Sequence, residues 1–349
     1  MSEPCATATV GDVTQRRRRP TLADIAADTG LSSAAVSYAL RGLHVPEETQ
    51  VRVKESARRL GYQADPIARA LASGRTGNVG VLCGSLADPW QQAAAAALGR
   101  ALLGAGRNAL TMDAGNEPER EAELARRLVD QRVDALIVLP VDPVAEHWIE
   151  VASRVPLVAV GDRLPGAATA GEVVFDNARG VSDGLRLLAG HGHTRVTVLT
   201  PTDRATPDRP AEQVVHRIAA DLGLDARLRT APHDLDGAAA VVREQLTGPD
   251  APTAFLCLAD AIAFGVYAAA LELGLSIPAD VSVVGYDDLP VSRLLSPPLS
   301  SYRWPVAELV EAVVHCAVSA VEGSGDGNTR TVLVPTPMPR ESVAGPRDR

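Results

Sequence analysis

The chain has 349 residues, 46% hydrophobic, 22% charged and 3% aromatic, with a formal net charge of −9. That length predicts two or three globular domains whose cores rest on Ala, Val and Leu rather than on rings. No apolar stretch is long and charge-free enough to span a membrane, and no apolar leader segment follows the start. Cys5, Cys83, Cys257 and Cys316 have neither disulfide-framework nor metal-ligand spacing, so the expectation is a cytoplasmic protein with no metal and no cofactor.

Charge is divided unevenly along the chain. Residues 1–76 hold eleven Arg/Lys against eight Asp/Glu, a net of +3, and the remainder holds 23 against 35, a net of −12. A small basic segment on an acidic body fits local contact with phosphate. Residues 1–19 read as a disordered basic arm ending in Arg16-Arg17-Arg18-Arg19, equally a phosphate-binding tail or a solvated one.

Residues 20–64 predict three short helices. Thr21 can cap the first, with Asp24 three residues later. Leu22, Ile25 and Ala26 form its apolar face, and Gly30 interrupts. A second helix is expected from about Ser32 to Leu40, with Val36 inward. A third starts near Pro46, with Val53, Ala57 and Leu60 inward and Gly61 as its stop. Two helices joined by a Gly-containing turn make a helix-turn-helix, whose second helix presents its N-terminal residues to base edges in the major groove. Ser32-Ser33-Ala34 are small enough for close approach: Ser can bond either base type, and Ala can touch a thymine methyl. On the helical pattern alone, a hairpin with no DNA role is an equal alternative. Residues 65–76, with Pro66-Ile67-Ala68-Arg69-Ala70-Leu71, read as a hinge helix and linker, too short to stand alone in water.

From Val79 onward, apolar runs at 79–83, 109–112, 135–139, 157–160, 172–175, 196–199, 254–258 and 281–284 alternate with helical patterns. The helices are expected at 90–105, 119–131, 178–190, 211–222, 236–246, 261–273 and 306–321. This alternation predicts parallel sheets covered by helices on both faces, enough chain for two lobes. Ligands of such folds bind beyond the carboxyl ends of strands. Trp90, Asp162-Arg163, Asp176, Asp260 and Asp287 all fall there. Trp90 could stack on a flat apolar surface, and converging carboxylates suit hydroxyl groups. For Asp260 and Asp288 helix capping is an equal alternative. His191 and His193 lack a carboxylate or Cys at ligand spacing and read as loop residues.

The order of residues adds a resemblance. Leu22-Ala-Asp-Ile-Ala, Gly30-Leu-Ser32, Val36-Ser37, Leu40, Gly42, Thr49, Arg52-Val53, Leu60-Gly61-Tyr62 and the 66–71 segment resemble the head and hinge of the lactose-repressor (LacI/GalR) family. Val133–Pro140, Asp176-Asn177 with Gly180, Gly190–Arg195, Val281–Asp288 and Pro297-Pro298-Leu299 resemble its ligand-binding part, itself similar to periplasmic sugar-binding proteins. The resemblance implies a helix-turn-helix head on a two-lobed, doubly wound α/β body. The body would run over 77–341, with an N-lobe of about 77–175 and 304–322, a C-lobe of about 176–303 and 329–341, and a tail at 342–349. It implies base reading by Ser33, Ala34 and Tyr38, and phosphate positioning by Thr21, Leu22, Ser32, Ser37 and Thr49. Leu71, beside Arg69, would be an apolar wedge in the minor groove, which a central CpG in the operator would accept. Arg41 adds charge near phosphate, where the family usually has Asn.

The same resemblance places Arg209 against an effector. Ala259 stands where Asn is common, and Glu212-Gln213 where Gly and an aromatic are usual. The implied protein is a repressor working as a homodimer on pseudo-palindromic double-stranded operator DNA, released or engaged by a small polar effector such as a sugar or nucleoside, with no membrane partner. A free binding protein lacks such a head. An enzyme would need a glycine-rich loop or nucleophile motif that the sequence does not show.

Overall fold

The computed structural model of the chain describes residues 20–43, 45–63, 70, 74–201, 211–324, 327 and 329–347. Two compact units divide it at Gly74. The first unit holds α1 (Leu22–Thr29), α2 (Ser33–Leu40) and α3 (Glu47–Leu60). The Thr21 N–H and hydroxyl both donate to the Asp24 carboxylate, at 2.7 and 2.8 Å, closing the first turn of α1. Gly30 takes φ +70°, a left-handed conformation free of Cβ cost, and turns the chain into α2. The Ser32 hydroxyl accepts from the Ala35 N–H at 3.2 Å and starts that helix. Ile25, Val36, Ala39, Val53 and Ala57 form the core of this small unit, with Leu22, Leu40, Leu60 and Tyr62 packed on it. Asp28 on α1 accepts from Ser56 and Arg59 of α3 and pins the two helices together. Pro46 is the cap residue of α3 rather than part of its first turn.

The second unit is built on two parallel sheets. The first contains β1 (Asn78–Cys83), β2 (Asn108–Asp113), β3 (Ala135–Leu139), β4 (Leu157–Gly161), β5 (Gly171–Phe175) and β11 (Thr329–Leu333), in the order β11-β5-β4-β3-β1-β2. The second contains β6 (Arg195–Thr200), β7 (Asp225–Thr230), β8 (Ala254–Cys257) and β9 (Ser282–Val284), in the order β7-β6-β8-β9. Strands β10 (Ser301–Arg303) and β12 (Thr336–Met338) pair as an antiparallel ribbon.

Strand alternation assigns side chains to opposite faces. In the first sheet Val79, Val81, Cys83, Ala135, Ile137 and Leu139 face α4 (Pro89–Gly104) and α11 (Val306–Glu322). Leu82, Leu136, Val138, Leu157 and Ala159 face α5 (Pro118–Asp130) and α6 (His147–Arg154). In the second sheet Val196, Val198 and Leu256 face α7 (Asn177–Gly190) and α8 (Ala211–Leu222). Leu199, Phe255, Cys257 and Val283 face α9 (Leu235–Thr247) and α10 (Asp260–Glu272).

Two boundaries differ from expectation. Strand β11 pairs with β5, so 329–333 belongs to the first lobe and not the second, because a parallel edge was open beside β5. Residues 342–347 are no loose tail. The Ser342 hydroxyl donates to the Val283 carbonyl at 2.6 Å and accepts from the Ser300 N–H at 2.8 Å. His193 bonds Thr253 and the Ala344 carbonyl, each at 2.8 Å, fastening this segment to the second sheet. Among the described residues no helix is long and apolar enough to cross a membrane.

Candidate functional site

The first unit carries a surface suited to DNA. Ser32, Ser33, Ala34, Tyr38 and Arg41 are exposed along one side of α2 and its ends, while Val36 and Ala39 point into the core. Tyr38 is 44% exposed, and the Arg41 guanidinium lies over its ring at 5.3 Å, so an aromatic edge and a positive charge project together. Thr21 is exposed at the start of α1, while Ser37 and Thr49 are half-buried. Leu22 packs on the core, which suits a backbone contact better than a side-chain one. Arg69 and Leu71 lie outside the described residues; of the intervening hinge only Ala70 is described, and it is helical.

The second unit holds a cavity of about 520 Å³. Its walls come from the carboxyl ends of strands in both lobes: Gly84 to Asp88 after β1, Pro140 and Val141 after β3, Pro201 after β6, Leu258 and Ala259 after β8, and Asp287 after β9. In the first sheet β1 and β3 are neighbours whose connections leave in opposite directions, as are β6 and β8 in the second. Both switch points therefore open into one cleft, the place where an open α/β sheet exposes strand ends to a ligand. A smaller cavity of about 160 Å³ adjoins it and shares Asp88, Gln91, Pro140, Leu258 and Asp287. Trp90, Asp162, Phe175, Tyr286 and Trp304 complete much of its wall.

Asp287 is the pivot of the cleft. It adopts φ +109° and Asp288 φ +51°, an unfavourable pair for residues with a Cβ, costing about 1–3 kcal/mol each. The surroundings over-determine this turn. The Asp287 N–H donates to the Tyr302 carbonyl at 2.7 Å, the Asp288 N–H to the Ser301 hydroxyl at 3.1 Å, and the Asp288 carboxylate is held by Arg303 and Arg340. Burial, then the charges of Asp88 and Asp260, holds the Asp287 carboxyl well above the usual carboxylate range. Asp88 caps α4 through the Trp90 N–H at 2.8 Å, and its other oxygen lies 4.0 Å from His233 Nε2 across the cleft. Glu121, fully buried in α5, accepts from the Val141 N–H at 2.5 Å and the Asp142 N–H at 3.1 Å and so braces the loop after β3.

Of the effector residues expected from sequence, Trp90 and Asp287 line the cleft. Asp260 does not. It is fully buried and accepts from the Leu289 N–H at 2.7 Å and from the Ser292 and Ser301 hydroxyls at 2.6 Å, so it ties loops together as neither ligand contact nor cap. Asp176 caps α7 by accepting from the Arg179 N–H at 3.0 Å, and Asn177 lines the smaller cavity instead. Arg163 is half-buried and lines neither cavity, whereas its neighbour Asp162 does. Arg209 lies outside the described residues. Sequence reading misses Phe175, His233, Tyr286 and Trp304. The first and third stand at strand ends, where the same rule would have found them. His233 follows β7, whose Arg227 and Arg229 hide it from a search for apolar runs.

The comparisons accord with these two units. A family profile described as a periplasmic binding protein-like domain matches residues 185–343. The HTH-type transcriptional regulator MalR of Streptomyces coelicolor is 32% identical over 337 residues, covering 93% of this chain and 96% of that protein. The ribose operon repressor of Haemophilus influenzae is 27% identical over 331 residues, covering 93% and 98%. Among solved structures, a lac repressor dimer bound to operator and the anti-inducer ONPF superposes with a TM-score of 0.81 at 24% identity, covering 94% of this chain and all of that one, a likeness of fold. With a helix-turn-helix unit, a two-lobed body with a cleft at its strand ends, and near full-length relatives that are transcriptional regulators, this chain belongs to the LacI family of DNA-binding transcriptional regulators.

Proposed function

We propose that this regulator is a repressor, bound to a pseudo-palindromic operator as a homodimer and controlled by a small polar effector held between the lobes of its body. The observation that carries the reading is the cleft of about 520 Å³ formed by strand ends of both lobes, on a chain that also presents an exposed reading helix. Ser33, Ala34 and Tyr38 read bases, and Thr21, Leu22, Ser32, Ser37, Arg41 and Thr49 position the helix on phosphates. Arg69 and the wedge Leu71 engage the minor groove at a central CpG step. Trp90, Asp287 and Arg209 contact the effector, with Asp88, Asp162 and His233 added by the geometry. Effector binding alters the relation of the lobes, and through it the fit of the two hinge segments on DNA. The sugar class is supported by relatives named as ribose operon repressors and by a structural neighbour named as a CelR–cellobiose complex.

Selection of random duplexes by the purified chain at fixed salt tests the DNA half. Enrichment of a two-fold site centred on CpG is expected, and enrichment without dyad symmetry would remove the dimer reading. On the selected operator, Asp287→Asn is expected to abolish the effector response while leaving operator affinity unchanged; a full response in the variant would move the effector elsewhere.

A further inference from the structure

The inner chamber has a composition that the rest of the chain does not lead one to expect. The sequence holds 3 Trp, 5 Tyr and 3 Phe in 349 residues, and four of these, Trp90, Phe175, Tyr286 and Trp304, line this one cavity of about 160 Å³. Elsewhere the sheets are filled with Val, Leu, Ile and Ala, so packing alone does not demand rings here. Trp90 meets Phe175 edge-on, with centroids 5.3 Å apart and planes at 84°, while Phe175 stacks on Trp304 at 4.4 Å and 30°. Tyr286 meets Trp304 at 5.4 Å and 60°. Three carboxyl groups, those of Asp88, Asp162 and Asp287, share the same wall, and no Arg, Lys or His is among its described lining residues.

Two donors in this wall are unsatisfied. Trp90 Nε1 and Tyr286 Oη are buried without a hydrogen-bond partner among the described residues, in side chains only 8% and 3% exposed. Buried donors are ordinarily paired, so a bound acceptor is the natural complement. Resting on the cleft as the effector site, we propose that the inner chamber takes the ammonium group of an amine- or quaternary-ammonium-bearing effector. An oxygen of that effector accepts from Trp90 Nε1 or Tyr286 Oη, and its polar remainder occupies the outer cavity beside His233.

Aromatic faces attract an organic cation, the more so when water is excluded, and carboxylates complete its charge balance. A neutral polyol would satisfy the donors but leave three carboxyl groups without a counter-charge. The elevated proton affinity of Asp287 is what an acidic chamber lacking its cation would show.

Choline and 3,3-dimethylbutan-1-ol share shape and hydroxyl and differ only in the positive nitrogen, so their ratio of affinities isolates the charge. Calorimetric titration of the full chain at neutral pH is expected to show choline binding about tenfold or more tighter than the alcohol. The preference should fall towards parity in Asp287→Asn and in Asp162→Asn, each checked for retained operator binding, while the alcohol's affinity stays unchanged. Parity in the unmodified chain, no choline binding at millimolar concentration, or a preference that survives both substitutions overturns the proposal. A neutral sugar that binds the unmodified chain and not Asp287→Asn would overturn the cation while keeping the cleft as the effector site. Indifference of every ligand, charged or neutral, to Asp287 would remove the cleft as well.

Discussion

A carboxylate at the end of a strand has two possible occupations, and its immediate donors decide between them. Asp176 and Asp260 satisfy internal N–H and hydroxyl donors and are thereby spent on architecture, whereas Asp287 keeps its carboxyl on the cleft wall. Asp260 is informative because burial, opposed by hydrogen bonds from Ser292, Ser301 and Leu289, raises its pKa from 3.8 to about 6. Between these values the folded chain holds a proton that the unfolded chain has released. The native state then binds more protons, so this residue's contribution to stability falls as pH rises through the window of about 4 to 6 and is constant above it. Urea unfolding across that range should show the decline in the unmodified chain and lose this component in Asp260→Asn. Asp260→Ala, which strands three buried donors, is expected to cost about 3–5 kcal/mol. A variant with unchanged pH dependence would remove Asp260 as its source. Gly180 shows the same local logic in steric form: a Cβ there would lie 1.6 Å from Tyr286 Oη, so the ring that lines the inner chamber requires glycine on α7.

The reading helix has only eight residues and depends on its start. The Ser32 hydroxyl satisfies one of the free N–H groups there, and its loss costs about 1 kcal/mol. Ser32→Ala is therefore expected to speed amide exchange in the first turn of α2 about fivefold, with α3 unaffected. Equal acceleration in both helices would mean that the cap stabilises the whole unit and not the element. Elements legible in the sequence are those with long periodic patterns: α4, α5, α7, α8, α9, α10 and α11 begin and end within a residue or so of their expected bounds. The pattern does not reveal α6, eight residues without a capping side chain, or β7, whose alternating Arg227 and Arg229 mark a half-exposed edge strand. Nor does it reveal β10 and β12, three residues each and stabilised only by each other across 33 positions of chain.

At the scale of the molecule, regulation is a coupling between two binding equilibria. If an effector weakens operator affinity by a given factor, operator must weaken effector affinity by the same factor. Titrating the effector against the free chain and against the chain saturated with operator measures both. A factor of about 5–150 is the usual span, and inequality of the two factors would mean that a third equilibrium, such as dimer dissociation, enters the cycle.

What the sequence by itself determined are properties carried by neighbours along the chain. These are the three helices of the head with their Thr21 and Ser32 starts and Gly30 turn, the alternation of strands and helices, and the placing of Trp90 and Asp287 at strand ends. The assignment of 329–333 to the first sheet, the docking of Ser342 and Ala344 on the second, and the gathering of Trp90, Phe175, Tyr286 and Trp304 around one chamber were decided only by the tertiary structure. Backbone periodicity and capping act over a few residues and leave a local trace. Which sheet edge is open, which carboxylate finds internal donors and which rings share a wall depend on segments that meet only when the chain has folded.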